Sequence, residues 1–283
     1  MDHTGAIVAT THGGPAGQAP LGAACVRAAA LTAAGFVWVT LFWFQPAESW
    51  PYRRAVDEFA SLVLVDTAGL DVMWAWSVRS WTFVGIPLLL LRLAGRPFDD
   101  LGLGGTSGPH DWRIVAAGVL VSAPVILALG MRSGVQHYYR GFFTPDVWRL
   151  AAVYATVTVA EHVWIPGVML ALMLPCGRLP PRQPGPPRRG PLGGLGFGAS
   201  PGGSGVSDWL GVPVYAWPAL LGQALIFGSI HASKDPGEFL SAFPGGLALG
   251  VVSLRLRSIW PALVLHAGVS TLIVLVAGAA RLR

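Results

Sequence analysis

The chain has 283 residues, 53% of them hydrophobic and only 12% charged, with a formal net charge of +5 and a mean hydropathy of +0.56. A soluble domain carries about twice that charged fraction, so an ordinary water-soluble fold is excluded and a helical membrane domain of about six to eight spans is implied. The basic balance is not a nucleic-acid footprint, because the arginines stand at the ends of apolar blocks, where they set topology.

Taken in chain order, residues 1–20 are polar, rich in Gly, Pro and Thr, and lack a basic leader region; they read as a disordered tail rather than a signal peptide. Membrane segments are expected at 23–44, 59–77, 81–93, 114–130 and 148–174, all within residues 21–174. The second is the weakest, since it contains Asp66 and Asp71, for which a structural pairing with Arg79 is expected. Residues 175–212 include PCGRLPPRQPGPPRRGPLGGLGFGASPGGSG, a Pro/Gly/Arg-rich linker that cannot bury a core. Three further segments, 214–231, 239–254 and 259–279, fill the C-terminal region 213–283. The expected fold is all-α, a polytopic transmembrane helical bundle of about eight segments. Trp50, Tyr52, Trp112, Tyr138, Tyr139 and Trp148 gather near segment ends as an interfacial belt does. Arg178, Arg182, Arg188 and Arg189 place the linker on the cytoplasmic side of a cell membrane, and the N-terminal tail, free of basic residues, is expected on the other side. A single lysine, Lys234, stands among the 19 basic residues; this arginine bias, with abundant Ala, Gly and Pro, suggests a GC-rich bacterial genome. Cys25 and Cys176 supply neither a disulfide framework nor a metal spacing.

Within the apolar blocks, four ionisable residues stand out: Glu161 and His162 in TVTVAEHVWIPGVML, His231 in LIFGSIH, and His266 in LHAGVS. A charged group at the centre of a membrane helix costs roughly 2.5–3.5 kcal/mol on insertion scales, so such residues face the protein interior. Each alone is as well explained by a polar contact between helices. Four acid–base groups on three separate helices suggest more. Phe227 and His231 are four residues apart and share a helix face, as do His266 and Ser270. Glu161 and His162 point about 100° apart, so only one is expected to face a cavity squarely and joint ligation of one metal is awkward. Pro166 cannot donate to the carbonyl four residues back, that of His162; a kink and a bare acceptor beside the Glu-His pair are expected, tolerable in lipid only in a polar, wet pocket. The chemistry such a pocket suits is water activation by a glutamate, with imidazoles orienting the water and stabilising an oxyanion.

These residues resemble the motifs of the CAAX prenyl protease and bacteriocin-processing (Abi) family of intramembrane endopeptidases. The family's Glu-Glu-x-x-x-Arg motif corresponds to EHVWIPG, with Glu161 at the first glutamate and Gly167 at the following glycine. Its Phe-x-x-x-His motif corresponds to Phe227 and His231, and its His-x-x-x-Asn motif to His266 and Ser270. The run FPGGLALGVVSLRLRSIWPALVLH is similar to the family's approach to its last motif, and the resemblance covers about 151–275 outside the linker. It implies hydrolysis of a peptide bond in a membrane-associated or prenylated substrate, with Glu161 and His231 activating water and His266 and Ser270 completing the site. It leaves open whether a divalent metal such as zinc, held by Glu161, His231 and His266, takes part. The partners implied are the lipid bilayer and a peptide or protein substrate, with no nucleic acid. Three departures stand against the pattern: His162 for the second glutamate, Pro166 for the arginine and Ser270 for the asparagine. Loss of one glutamate lowers the need for the arginine, so the first two offset each other. A catalytically silent membrane scaffold or immunity protein is the first alternative. A proton-coupled transporter relaying through Glu161 and His162 is the second, and the absence of an inverted repeat counts against it. Counting along the segments puts Glu161 near mid-bilayer, His231 near the outer end and His266 in the inner half. A shared site therefore requires shifted boundaries, or residues 232–238 (ASKDPGE) dipping into the bundle.

Overall fold

The computed structural model describes residues 21–42, 80–104, 109–139, 157–179 and 206–279. The expected segment at 59–77, with Asp66, Asp71 and Arg79, lies outside them, as do the N-terminal tail and residues 180–205 of the linker. The described residues are helical, without a strand. In chain order they form α1 (Leu21–Phe42), a π-helical turn (Trp81–Gly85) leading into α2 (Ile86–Leu93), α3 (Pro109–Gly130), α4 (Ser133–Tyr139), α5 (Val157–Met173), α6 (Val206–Leu210), α7 (Trp217–Ser229), α8 (Pro236–Leu256) and α9 (Trp260–Ala279). Four stretches, Leu21–Leu41, Trp112–Gly130, Pro236–Leu256 and Trp260–Gly278, are long and apolar enough to cross a membrane.

Helix ends follow from local chemistry. Asp235 caps α8 by accepting the Gly237 N–H at 2.9 Å, and Pro236 opens the helix where its missing donor costs nothing. Ser258 Oγ accepts the Trp260 N–H ahead of α9. Arg257, between α8 and α9, takes a left-handed conformation with φ of 55°.

α5 is the central helix: residues 160–171 are buried throughout. α1, α7, α8 and α9 surround it, with α7 lying between α1 and α8, and α3 flanking α9. α7 and α8 approach closely through small residues. A Cβ on Gly246 would lie 2.9 Å from Phe227, and one on Gly250 would lie 2.6 Å from Gln223 Nε2. The outward faces stay apolar, as Leu89, Leu90 and Leu93 of α2 and Leu120, Val121 and Val125 of α3 illustrate; in lipid such exposure is the favoured state.

Two sequence expectations change. Pro166 does not simply kink an α-helix beside an orphaned His162 carbonyl. The backbone widens into a π-helix over Val163–Met169, with the Leu170 N–H reaching the Ile165 carbonyl five residues back. The wider register absorbs the missing proline donor. The N-terminal end of α1 and the start of the linker also lie at the same end of the bundle. Arg27 donates to the carbonyls of Leu172 (2.6 Å) and Pro175 (3.3 Å), whereas counting alternate crossings had separated them. That count included the segment at 59–77. The same end holds the 94–104 loop and the α8–α9 turn, through Leu179 N–H to Asp100 O (3.0 Å) and Ile259 N–H to Gly102 O (3.0 Å). The linker is also anchored at its far edge: Val212 is buried, and α6 falls inside the stretch read as linker.

Candidate active site

α7 has 13 residues, about 20 Å at 1.5 Å per residue, against a hydrocarbon thickness of ~30 Å. With the 3-10 turn Val214–Ala216 ahead of it the helical stretch is Val214–Ser229, still short of that thickness. The turn that follows, 230–235, carries His231 into the interior, where only 5% of the residue is exposed, and α8 begins with a buried Glu238. Residues 232–238 do not dip as a whole, since Ala232, Ser233 and Pro236 are exposed; His231 and Glu238 alone turn inward at the two ends of the segment.

His231 lies beside α9. Its ring centroid is 6.5 Å from that of His266, with Phe227 packed against both, at 4.8 Å from His231 and 5.2 Å from His266. His266 Nδ1 in turn lies 3.7 Å from Glu161 Oε2 of α5. Three residues far apart in the chain are thus neighbours, each from a different helical segment. His162 joins them, its ring 5.0 Å from that of His266. Both members of the adjacent Glu161–His162 pair thus lie near His266, Glu161 through its carboxylate and His162 through its ring.

Hydrogen bonds fix which imidazole nitrogens carry protons. His231 Nδ1 is 2.8 Å from the Phe227 carbonyl, and His162 Nδ1 is 2.9 Å from the Thr158 carbonyl. A carbonyl only accepts, so each Nδ1 donates and each neutral ring keeps Nε2 as an acceptor. His162 is wholly buried, and its Nε2 makes no hydrogen bond, while its ring lies against His266 of α9. That placement suits a brace between α5 and α9 better than a group meeting substrate. His266 Nδ1 is buried with no hydrogen bond, its nearest charged neighbour being Glu161. Ser270, one turn beyond His266, is partly buried and makes no hydrogen bond among the described residues. Gly167 packs where a Cβ would come 3.2 Å from the His162 carbonyl, so this position favours a residue without a side chain.

Among the described residues no three His, Cys, Asp or Glu side chains gather as a metal-binding group. His231 Nδ1 donates to the Phe227 carbonyl, the outer contact that histidines ligating a metal through Nε2 also make, so its Nε2 stays available to a metal or to water.

Sequence reading missed the charged cluster next to this site. Tyr139 of α4 donates to Glu238 Oε1 at 2.7 Å, and Lys234 Nζ lies 2.6 Å from the same oxygen and 3.2 Å from the Tyr139 hydroxyl. The available signal was that the chain's single lysine falls three residues after the histidine of the Phe-x-x-x-His motif. Its partner on α4 is 95 residues away, which no local pattern reveals.

Residues 202–272 match the family model described as type II CAAX prenyl endopeptidase, Rce1-like. The match bears out the resemblance read from the motifs and contains Phe227, His231, His266 and Ser270; Glu161 lies outside the matched stretch. No curated protein and no solved structure matches the chain.

Proposed function

Proceeding from the C-terminal match to CAAX prenyl endopeptidases, we propose that this protein is an intramembrane peptidase that hydrolyses a peptide bond with glutamate-activated water. One observation carries the reading: Glu161 Oε2 and His266 Nδ1 are 3.7 Å apart among buried side chains, with His231 beside His266. At that separation one water contacts both groups. Glu161, the carboxylate of the cluster, takes the water proton as oxygen attacks the peptide carbonyl. The C–N bond then breaks, and the proton passes to the leaving amine. His231 presents Nε2 as an acceptor, because its Nδ1–H is committed to the Phe227 carbonyl, and so orients the water. His266 steadies the charge that develops beside Glu161.

The test is cleavage of a farnesylated CAAX-type peptide, quenched-fluorescence labelled, by the purified full chain in lipid. Glu161→Gln, His231→Ala and His266→Ala should each lower the rate by about 10²–10⁴-fold, the range for losing a general acid–base group, while membrane insertion is retained. Full activity in any one of them removes that residue from the mechanism.

A second reading, a catalytically silent membrane relative, is favoured by the lack of a hydrogen bond at Ser270, the position of the family's asparagine. It expects no peptide cleavage by the wild-type protein and a cellular phenotype that persists in Glu161→Gln.

A further inference from the structure

The turn that carries His231 is held from outside α7 and α8. α4 follows directly on α3, and its two ends grip the turn. At one end Arg132 Nε lies 3.1 Å from Asp235 Oδ1, the same oxygen that caps α8. At the other, Tyr139, nearly fully buried, donates to Glu238 Oε1 at 2.7 Å. Lys234 links the two sides. Its ammonium lies 2.6 Å from Glu238 Oε1 and 3.2 Å from the Tyr139 hydroxyl, and it sits 5.6 Å from the centroids of both the Tyr138 and Tyr139 rings. Its backbone N–H donates to the His231 carbonyl at 3.0 Å, so the residue that anchors the cluster is tied to the candidate catalytic imidazole through the main chain. A lysine, a glutamate and a tyrosine withdrawn from water are costly unless each satisfies the others; once they do, the network fixes one arrangement.

We propose that the α4 clamp, Tyr139 with Lys234 and Glu238, positions His231 for the reaction, Lys234 being a positioning residue that acts through the turn. The proposal rests on the peptidase reading for its purpose, but not for its geometry. Apart from the clamp, the imidazole is held by the Phe227 carbonyl and by ring packing against Phe227, both contacts from within its own helical stretch.

The test is labelling of histidines by diethyl pyrocarbonate in the purified full chain, read at His162, His231 and His266 by mass spectrometry. Lys234→Met and Tyr139→Phe should each raise the labelling rate of His231 by about tenfold, the local opening expected when a buried charged hydrogen bond is lost, and leave His162 and His266 unchanged. Lys234→Arg should restore protection. Unchanged labelling of His231 in both variants, or an equal rise at all three histidines, overturns the proposal; the latter would mark a general loosening of the bundle. The peptidase reading fails separately: absence of farnesyl-peptide cleavage by the wild type sinks it while the labelling pattern still decides the clamp.

Discussion

Glu161 and its three imidazole neighbours are the residues for which sequence reasoning had most to work with. An acid in an apolar block is expensive, so its presence marks an interior position, and the structure places Glu161 and His266 side by side. Ser270 is a different case. Spacing puts it on the His266 face, but spacing does not say whether a short hydroxyl reaches a partner, and here it makes no hydrogen bond among the described residues. Deleting a hydrogen bond that is not made costs little. Ser270→Ala should therefore keep the cleavage rate within about twofold of wild type, measured on the same farnesylated peptide; a loss comparable to that of His266→Ala would return Ser270 to the site. The cluster of Tyr139, Lys234 and Glu238 was not legible because its members gain meaning only from each other, and α4 is too short to show a periodic pattern.

At the scale of elements, helix positions were legible from long apolar runs: the described helices match six of the expected segments to within about five residues at each end, and a seventh, 148–174, at its C-terminal end, its start lying outside the described residues. Backbone detail was not. A proline in an apolar helix reads equally as a kink or as a π segment, and neighbouring packing decides between them. Here all of Val163–Met169 is buried within the bundle. Contact between α7 and α8 also depends on glycines that look unremarkable in a Gly-rich chain. A Cβ on Gly246 would meet Phe227, whose carbonyl holds His231. Gly246→Val should thus destabilise the protein by about 1–3 kcal/mol, as overpacking does, and should slow cleavage further by tilting the imidazole. Thermal unfolding in detergent combined with the cleavage rate checks both; a variant with wild-type stability would show that the two helices can part without cost.

Across the whole molecule, one end of the bundle collects Arg27, Arg96, Arg178, Arg255 and Arg257, around the turn after α5 and the turn between α8 and α9. Arg132 and Lys234 sit at the end where α4 meets the start of α8. An arginine-rich end belongs in the cytoplasm. Cys176, exposed in the turn after α5, should therefore react with a membrane-impermeant maleimide in inverted vesicles and be protected in right-side-out ones; the reverse pattern would invert the orientation. The burial of His231 has a last consequence. Because that residue is only 5% exposed, the proposed peptidase reaction expects any polypeptide cut there to give up hydration at its scissile bond first. On that reading greasiness around the cleavage point is the ticket of admission, and a substrate tethered by a long polar spacer is expected to stay waterborne and intact.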